Sequence, residues 1–171
     1  MSRSGYSEDL AYEDPLQHGR WRAQVKSATR GKRGQRLLRD LVAALDAMEV
    51  KELHQRILVA DDGCCCAMGA VLKHRGVQES YIQPAPNKNE PYWEDAFEER
   101  NQEIAGDLDV AHQLVAEIVD ENDEMPLSHK AEAWGCTEEE ARWRWMRSWA
   151  AARIVDDKMD GVSISDDGGA V

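Results

Sequence analysis

Apolar residues recur at helical spacing along most of this chain. Trp21, Val25 and Ala28 fall at i, i+4 and i+7 and predict a narrow-striped helix over 19–30. Leu37, Leu38, Leu41, Leu45 and Met48, widened by Val42, predict a second helix over 35–48. Their stripe covers roughly 140° at ~100° per residue, the width of a core-facing helix. "CCCAMGAVLKHRG" puts Cys64, Met68, Val71 and Leu72 on one side and predicts a third helix that stops at Gly76. A fourth starts near Pro91 and reaches about Ala105, burying Phe97 and Ile104, with Gly106 as its break. A fifth, 107–122, carries Leu108, Ala111, Leu114, Val115 and Ile118. Thr137 and Glu140 form a T-x-x-E capping box that opens a last helix running to about Val155.

The segments between carry breaking signals. Residues 1–18 read as a polar arm broken by Pro15, and "GKRG" at 31–34 as a helix end and restart. The apolar run in 51–60 is too short to decide between strand and helix. Residues 77–91 hold three prolines and two asparagines and read as an exposed loop. Residues 123–136 read as a connector, and 156–171 as a disordered acidic tail. The expectation is an all-α fold: one domain over 19–155, a compact bundle of five to six helices with polar ends.

The last helix shows two apolar faces. Ala141, Trp145, Trp149 and Ala152 share one, and Trp143, Met146, Ala150 and Ile154 the other. Either the helix is sandwiched inside the fold, or Trp143, Met146 and Ile154 meet a second chain, such as a copy in a homodimer.

Composition narrows the class. The chain has 171 residues, 42% hydrophobic and 32% charged, with six Trp and one Phe. No apolar run approaches the ~20 residues of a membrane span. The polar start "MSRSGYSEDL" and four Cys without a secretory context point to a cytoplasmic protein with reduced thiols. Net charge is −12, split unevenly: residues 1–39 carry nine basic and four acidic residues, and the remainder twelve and twenty-nine.

Candidate chemistry is sparse. "RGKRGQ" lacks the phosphate-loop pattern, because Arg33 follows Lys32. Cys64, Cys65 and Cys66, if helical, point about 100° apart and cannot converge on one zinc ion. Inert buried thiols are the expectation, with no metal and no cofactor. Glu94/Glu98, Asp95/Glu99 and Glu117/Glu121 read as solvated surface pairs.

Partners are the remaining question. Residues 20–39 contain eight basic residues and no acidic one. They fit nucleic-acid phosphates, or this chain's own acidic helices. Alternatively, the acidic remainder imitates nucleic acid before a basic host protein.

"SRSGYSED", "WRAQVKSATRGKRGQRLLRDLVAALDAM", and then "DG" and "CAMGAV…RG" within 62–76 resemble a family of small proteins carried by phages and prophages of proteobacteria. The resemblance spans about residues 2–76, and "ARWRWMRSWAAARI" is similar in character. It implies a mobile-element origin and a bacterial cytosol, and no activity. The family shows one Cys at the position of Cys66, so Cys64 and Cys65 depart from it, and 77–100 is longer than its pattern. The expected function is a non-enzymatic binding protein that inhibits a host defence complex, of the anti-CRISPR or anti-restriction kind. Glu117, Asp120, Glu121 and Glu124 would meet the basic host protein, with Arg30, Lys32, Arg33 and Arg36 as a second contact. The alternative is a nucleic-acid-binding regulator that uses 20–39.

Overall fold

The computed structural model describes residues 15–60, 62–77 and 93–155. It is all-α. Among the described residues, seven helices follow one another: α1 (Pro15–Arg30), α2 (Lys32–Ala47), α3 (Ala67–His74), α4 (Trp93–Asp107), α5 (His112–Asp123), α6 (Ser128–Trp134) and α7 (Glu138–Ala151). The described residues hold one isolated antiparallel bridge, Val59 with Cys65.

Helix α2 is the spine. Its predicted stripe is inside: Leu37, Leu38, Leu41 and Leu45 are each 0% exposed. Each such leucine contributes about 1.5–3 kcal/mol of burial. Helices α3 and α7 pack along α2, α1 packs on α2 and α5, α4 lies on α5, and α6 on α7. The core joins α2 and α3 to Ile104, Leu114, Val115, Ile118, Met146 and Trp149.

The joint between α1 and α2 is tighter than the sequence reading. Gly31 alone separates the helices, as the N-cap of α2. Gly34 lies inside α2, where a Cβ would stand 2.0 Å from the Ala28 carbonyl oxygen. That glycine lets the end of α1 cross α2 at backbone distance. Pro15 begins α1 instead of breaking the arm, a position where its missing N–H costs nothing.

Other boundaries differ as well: the fifth helix starts at His112 instead of 107, and the last ends at Ala151 instead of about 155. The three adjacent cysteines precede α3: Cys65 is in the bridge and Cys66 is the N-cap. Gly106 stays within α4, and the chain turns instead at Asp109, which has a φ of 54°. The expected connector 123–136 contains α6, closed by Gly135 in the left-handed region at φ 61°. Seven residues are too few for periodicity to detect. The Thr137 N-cap forms as expected, its Oγ1 accepting the Glu140 N–H at 3.1 Å, whereas the Glu140 carboxylate turns to Arg144 at 2.6 Å instead of closing the box. The expectations for 1–14, 78–91 and 156–171 lie outside the described residues.

Helix α7 is sandwiched. Ala141, Met146 and Ala150 are each 0% exposed, and Trp149 is 5% exposed. Trp143 donates its indole N–H to the Leu45 carbonyl at 3.0 Å, and Trp145 donates to Glu121 at 3.1 Å. Met146 therefore belongs to this chain's own core and is not an interface residue. Trp143 and Ile154 are half-buried against the same core.

A polar seam fixes the irregular stretch 51–66. Arg56 has a φ of 62°. It is held there as its N–H donates to Asp123 Oδ1 at 2.8 Å. Asn122, 1% exposed, donates to the His54 carbonyl at 3.0 Å and accepts the Ala67 N–H at 3.2 Å. These two residues tie α5 to both ends of that stretch.

Candidate functional site

The basic residues singled out in the sequence gather at the corner where α1 meets α2. Arg30, Lys32, Arg33 and Arg36 are all exposed. At ~100° per residue, Lys32, Arg36 and Arg39 fall within about 60° of one another, on the side of α2 opposite its leucines. Arg33 flanks them and pairs with Asp109 at 2.9 Å, both side chains being 72% exposed. Such an exposed pair contributes about 0–1 kcal/mol. Arg30, Lys32 and Arg36 have no carboxylate partner among the described residues.

Gln35 holds this corner together. Only 6% exposed, it donates to the Thr29 carbonyl at 2.8 Å and the Arg153 carbonyl at 2.9 Å, and accepts the Val155 N–H at 2.7 Å. All three amide hydrogen-bonding functions are therefore engaged, each with a different backbone position. Arg39 adds a bond to the Val155 carbonyl at 3.0 Å.

The acidic residues are placed differently from the expectation of a free patch. Glu117 and Asp120 line an open groove of about 750 Å³ between α1 and α5. Its other walls include Trp21, Arg22, Lys26, Arg30 and Arg153. Opposite charges therefore meet at this groove instead of standing on separate faces. Burial raises the Glu117 carboxyl above the usual carboxylate range, and Glu121 and Asp120 add to the rise. Arg153 and Arg22 oppose it. Glu117 is thus half-buried, not part of a solvated pair with Glu121. Glu121 accepts the Trp145 indole, and Glu124 pairs with Arg56 at 3.6 Å.

Sequence reasoning did not assemble the groove. Trp21, Arg22 and Lys26 were legible as one helix's stripe and flank. Arg153 joins them only because Gln35 binds its carbonyl 118 positions away. Arg153 also stacks over Trp149, its guanidinium 4.0 Å from the ring centre.

The thiols sit elsewhere. Cys64 and Cys65 line a second groove of about 560 Å³ with Glu52, His54, Asp62, Lys73 and His74. A hydrogen bond to Asp62 holds the Cys64 thiol above its ordinary pKa. Burial raises Cys65 and pushes Cys66 up to about 12. All three are therefore thiols at neutral pH, whereas nucleophilic and metal-binding cysteines are thiolates. Among the described residues, no three His, Cys, Asp or Glu side chains converge as a metal site would require.

Comparison with protein-family models, with curated proteins and with solved structures found no match.

Proposed function

We propose that this chain is a phage- or prophage-encoded binding protein that acts by contact and not by catalysis. Its working surface is the cationic corner of α1 and α2, and its partner is nucleic acid. One observation carries the reading. Arg30, Lys32 and Arg36 face solvent without a carboxylate partner among the described residues. Phosphates of a nucleic-acid backbone are the anions that clustered, exposed Lys and Arg meet most readily. Helix α2 has no acidic residue in its first turn. Lys32 and Arg33 instead lie at the positive end of its macrodipole, an arrangement costing about 0.3–1 kcal/mol each. A bound phosphate would offset that cost.

A second reading rests on the acidic remainder, with its twelve basic and twenty-nine acidic residues. In it, the protein captures a basic host protein and inhibits a defence complex, with Glu117, Asp120, Glu121 and Glu124 as the contact. It ranks second because Glu121 is bonded to Trp145, Glu124 is paired with Arg56, and Glu117 and Asp120 face arginines across the groove.

The test is fluorescence anisotropy with labelled duplex and single-stranded DNA across a salt series. Three to four phosphate contacts give a log–log salt slope of about −2 to −4. Lys32→Glu with Arg36→Glu should abolish binding without lowering the thermal midpoint, because position 32 lies at the positive end of the α2 macrodipole, where a carboxylate is favoured. Absence of binding at about 50 mM salt would remove the nucleic-acid reading.

A further inference from the structure

Helix α1 carries a row of cations of its own. Arg22, Lys26 and Arg30 recur every four residues, so they follow one edge of the helix at steps of about 6 Å. All three are exposed, and all three line the open groove of about 750 Å³ between α1 and α5. Arg153 adds a fourth cation from beyond the end of α7. The carboxylates of Glu117 and Asp120 are less exposed than the α1 row, half-buried on the α5 side. Arg22 and Arg153 act on Glu117 through their charge, but Glu117 accepts no hydrogen bond from the described residues. Trp21 and Val25 supply an apolar wall.

The groove thus asks for a ligand with two kinds of group. Among its described lining residues, four cations stand against two carboxylates, so the ligand is anionic. A half-buried carboxylate that accepts nothing is an unmet acceptor, and an N–H brought by the ligand satisfies it. The volume lies within the range of sites that enclose a small molecule or one unit of a polymer. A nucleic-acid strand with unpaired bases meets all three demands. It has evenly spaced anions along one side and N–H donors and flat rings along the other.

We infer that this groove takes an unpaired nucleotide of a single strand, with its phosphates along Arg22, Lys26 and Arg30 and the amino group of its base on Glu117. The inference rests on the nucleic-acid reading above and names the form of strand that it leaves open. Arg30 belongs both to the groove and to the cationic corner, so a strand leaving the groove continues onto α2.

A duplex suits this arrangement poorly. Its pairing edges are turned inward, so phosphates are what it presents to the groove, and the carboxylates there repel them. An unpaired base is free to lay its face against Trp21. Its amino group then reaches Glu117, the contact by which a carboxylate reads the N4 amine of cytosine. Thymine has a carbonyl oxygen at that position, which a carboxylate repels.

The test is fluorescence anisotropy of the full chain with labelled oligodeoxycytidylate, oligodeoxythymidylate and a mixed-sequence duplex of equal length, at neutral pH. The cytidylate should bind about tenfold more tightly than the thymidylate, within the discrimination of a good base contact. It should also bind more tightly than the duplex. Glu117→Gln supplies an amide that both donates and accepts, and so serves either base. The preference should fall to near parity, even as both affinities rise with the loss of a negative charge. Arg22→Ala with Lys26→Ala should weaken both single strands alike. The log–log salt slope should flatten by about 1.4, two phosphate contacts at ~0.7 each.

Equal affinity for the two single strands overturns the inference, as does a cytosine preference that survives Glu117→Gln. Tighter binding of the duplex, or no effect of the Arg22 and Lys26 changes, also overturns it. Each of these leaves the nucleic-acid reading standing. Binding of none of the three ligands removes that reading, and the groove assignment with it.

Discussion

The side-chain oxygen of Gln35 accepts the backbone N–H of Val155 at 2.7 Å, across 120 positions of sequence. The same amide binds carbonyls near the ends of α1 and α7. One buried side chain thus fixes three segments, and it does so directly beneath the cationic stripe. Replacing it with alanine leaves those backbone groups without their partner. Gln35→Ala should cost about 1–3 kcal/mol. At ~2–4 °C per kcal/mol for a chain of this size, thermal unfolding followed by circular dichroism reads the loss directly.

The crossing of α1 over α2 makes a paired prediction. At Gly34 a methyl group would stand 2.0 Å from the Ala28 carbonyl, whereas at Gly19 it would meet nothing within 4 Å. Gly34→Ala should destabilise by about 1–3 kcal/mol or more, as the helices are forced apart. Gly19→Ala, in an exposed part of α1, should stabilise by about 0.4–1 kcal/mol. Equal effects from the two changes in denaturant titrations would contradict the close crossing.

Glu117 gives a pH signature. Its folded-state pKa is raised by burial and by its acidic neighbours, so the folded state favours the protonated form. Stability therefore falls as pH rises from the usual carboxylate range, about 4.3, through the raised folded value. Glu117→Gln removes that ionisation. It should raise the unfolding midpoint at neutral pH, and the advantage should shrink towards pH 4. An advantage that grows in acid would mean that the arginines of the groove outweigh burial.

The cysteines should be slow. Cys66 is buried with its pKa pushed up to about 12, and Cys64 and Cys65 are raised as well. Alkylation at neutral pH should proceed far below the rate of an exposed thiol of ordinary pKa, with Cys66 last to react. In denaturant all should react alike. Rapid labelling of Cys66 in the folded protein would contradict its burial.

Much of this architecture was legible locally. The leucine stripe of α2, the stop at Gly76 and the Thr137 cap are statements about residues within a turn or two of one another, which periodicity and backbone hydrogen bonding decide. Helix α6 was missed because seven residues carry too little periodicity, although Gly135 marks its end. An apolar run looks the same on either side of an N-cap, so the sequence pattern extends the helix over cysteines that precede it.

The candidate site divides in the same way. The sequence by itself determined that the cations of 20–39 would flank core stripes and remain outside. Charged groups stay in water unless paired, so their exposure follows from the stripe alone. Only the tertiary structure decided that Glu117 and Asp120 would turn towards Arg22 and Arg153, that Gly34 would admit the Ala28 carbonyl, and that Gln35 would deliver residue 155 onto the cationic stripe. A helical pattern says which side of a helix is covered. What covers it depends on contacts between residues more than a hundred positions apart, and these exist only once the helices have packed.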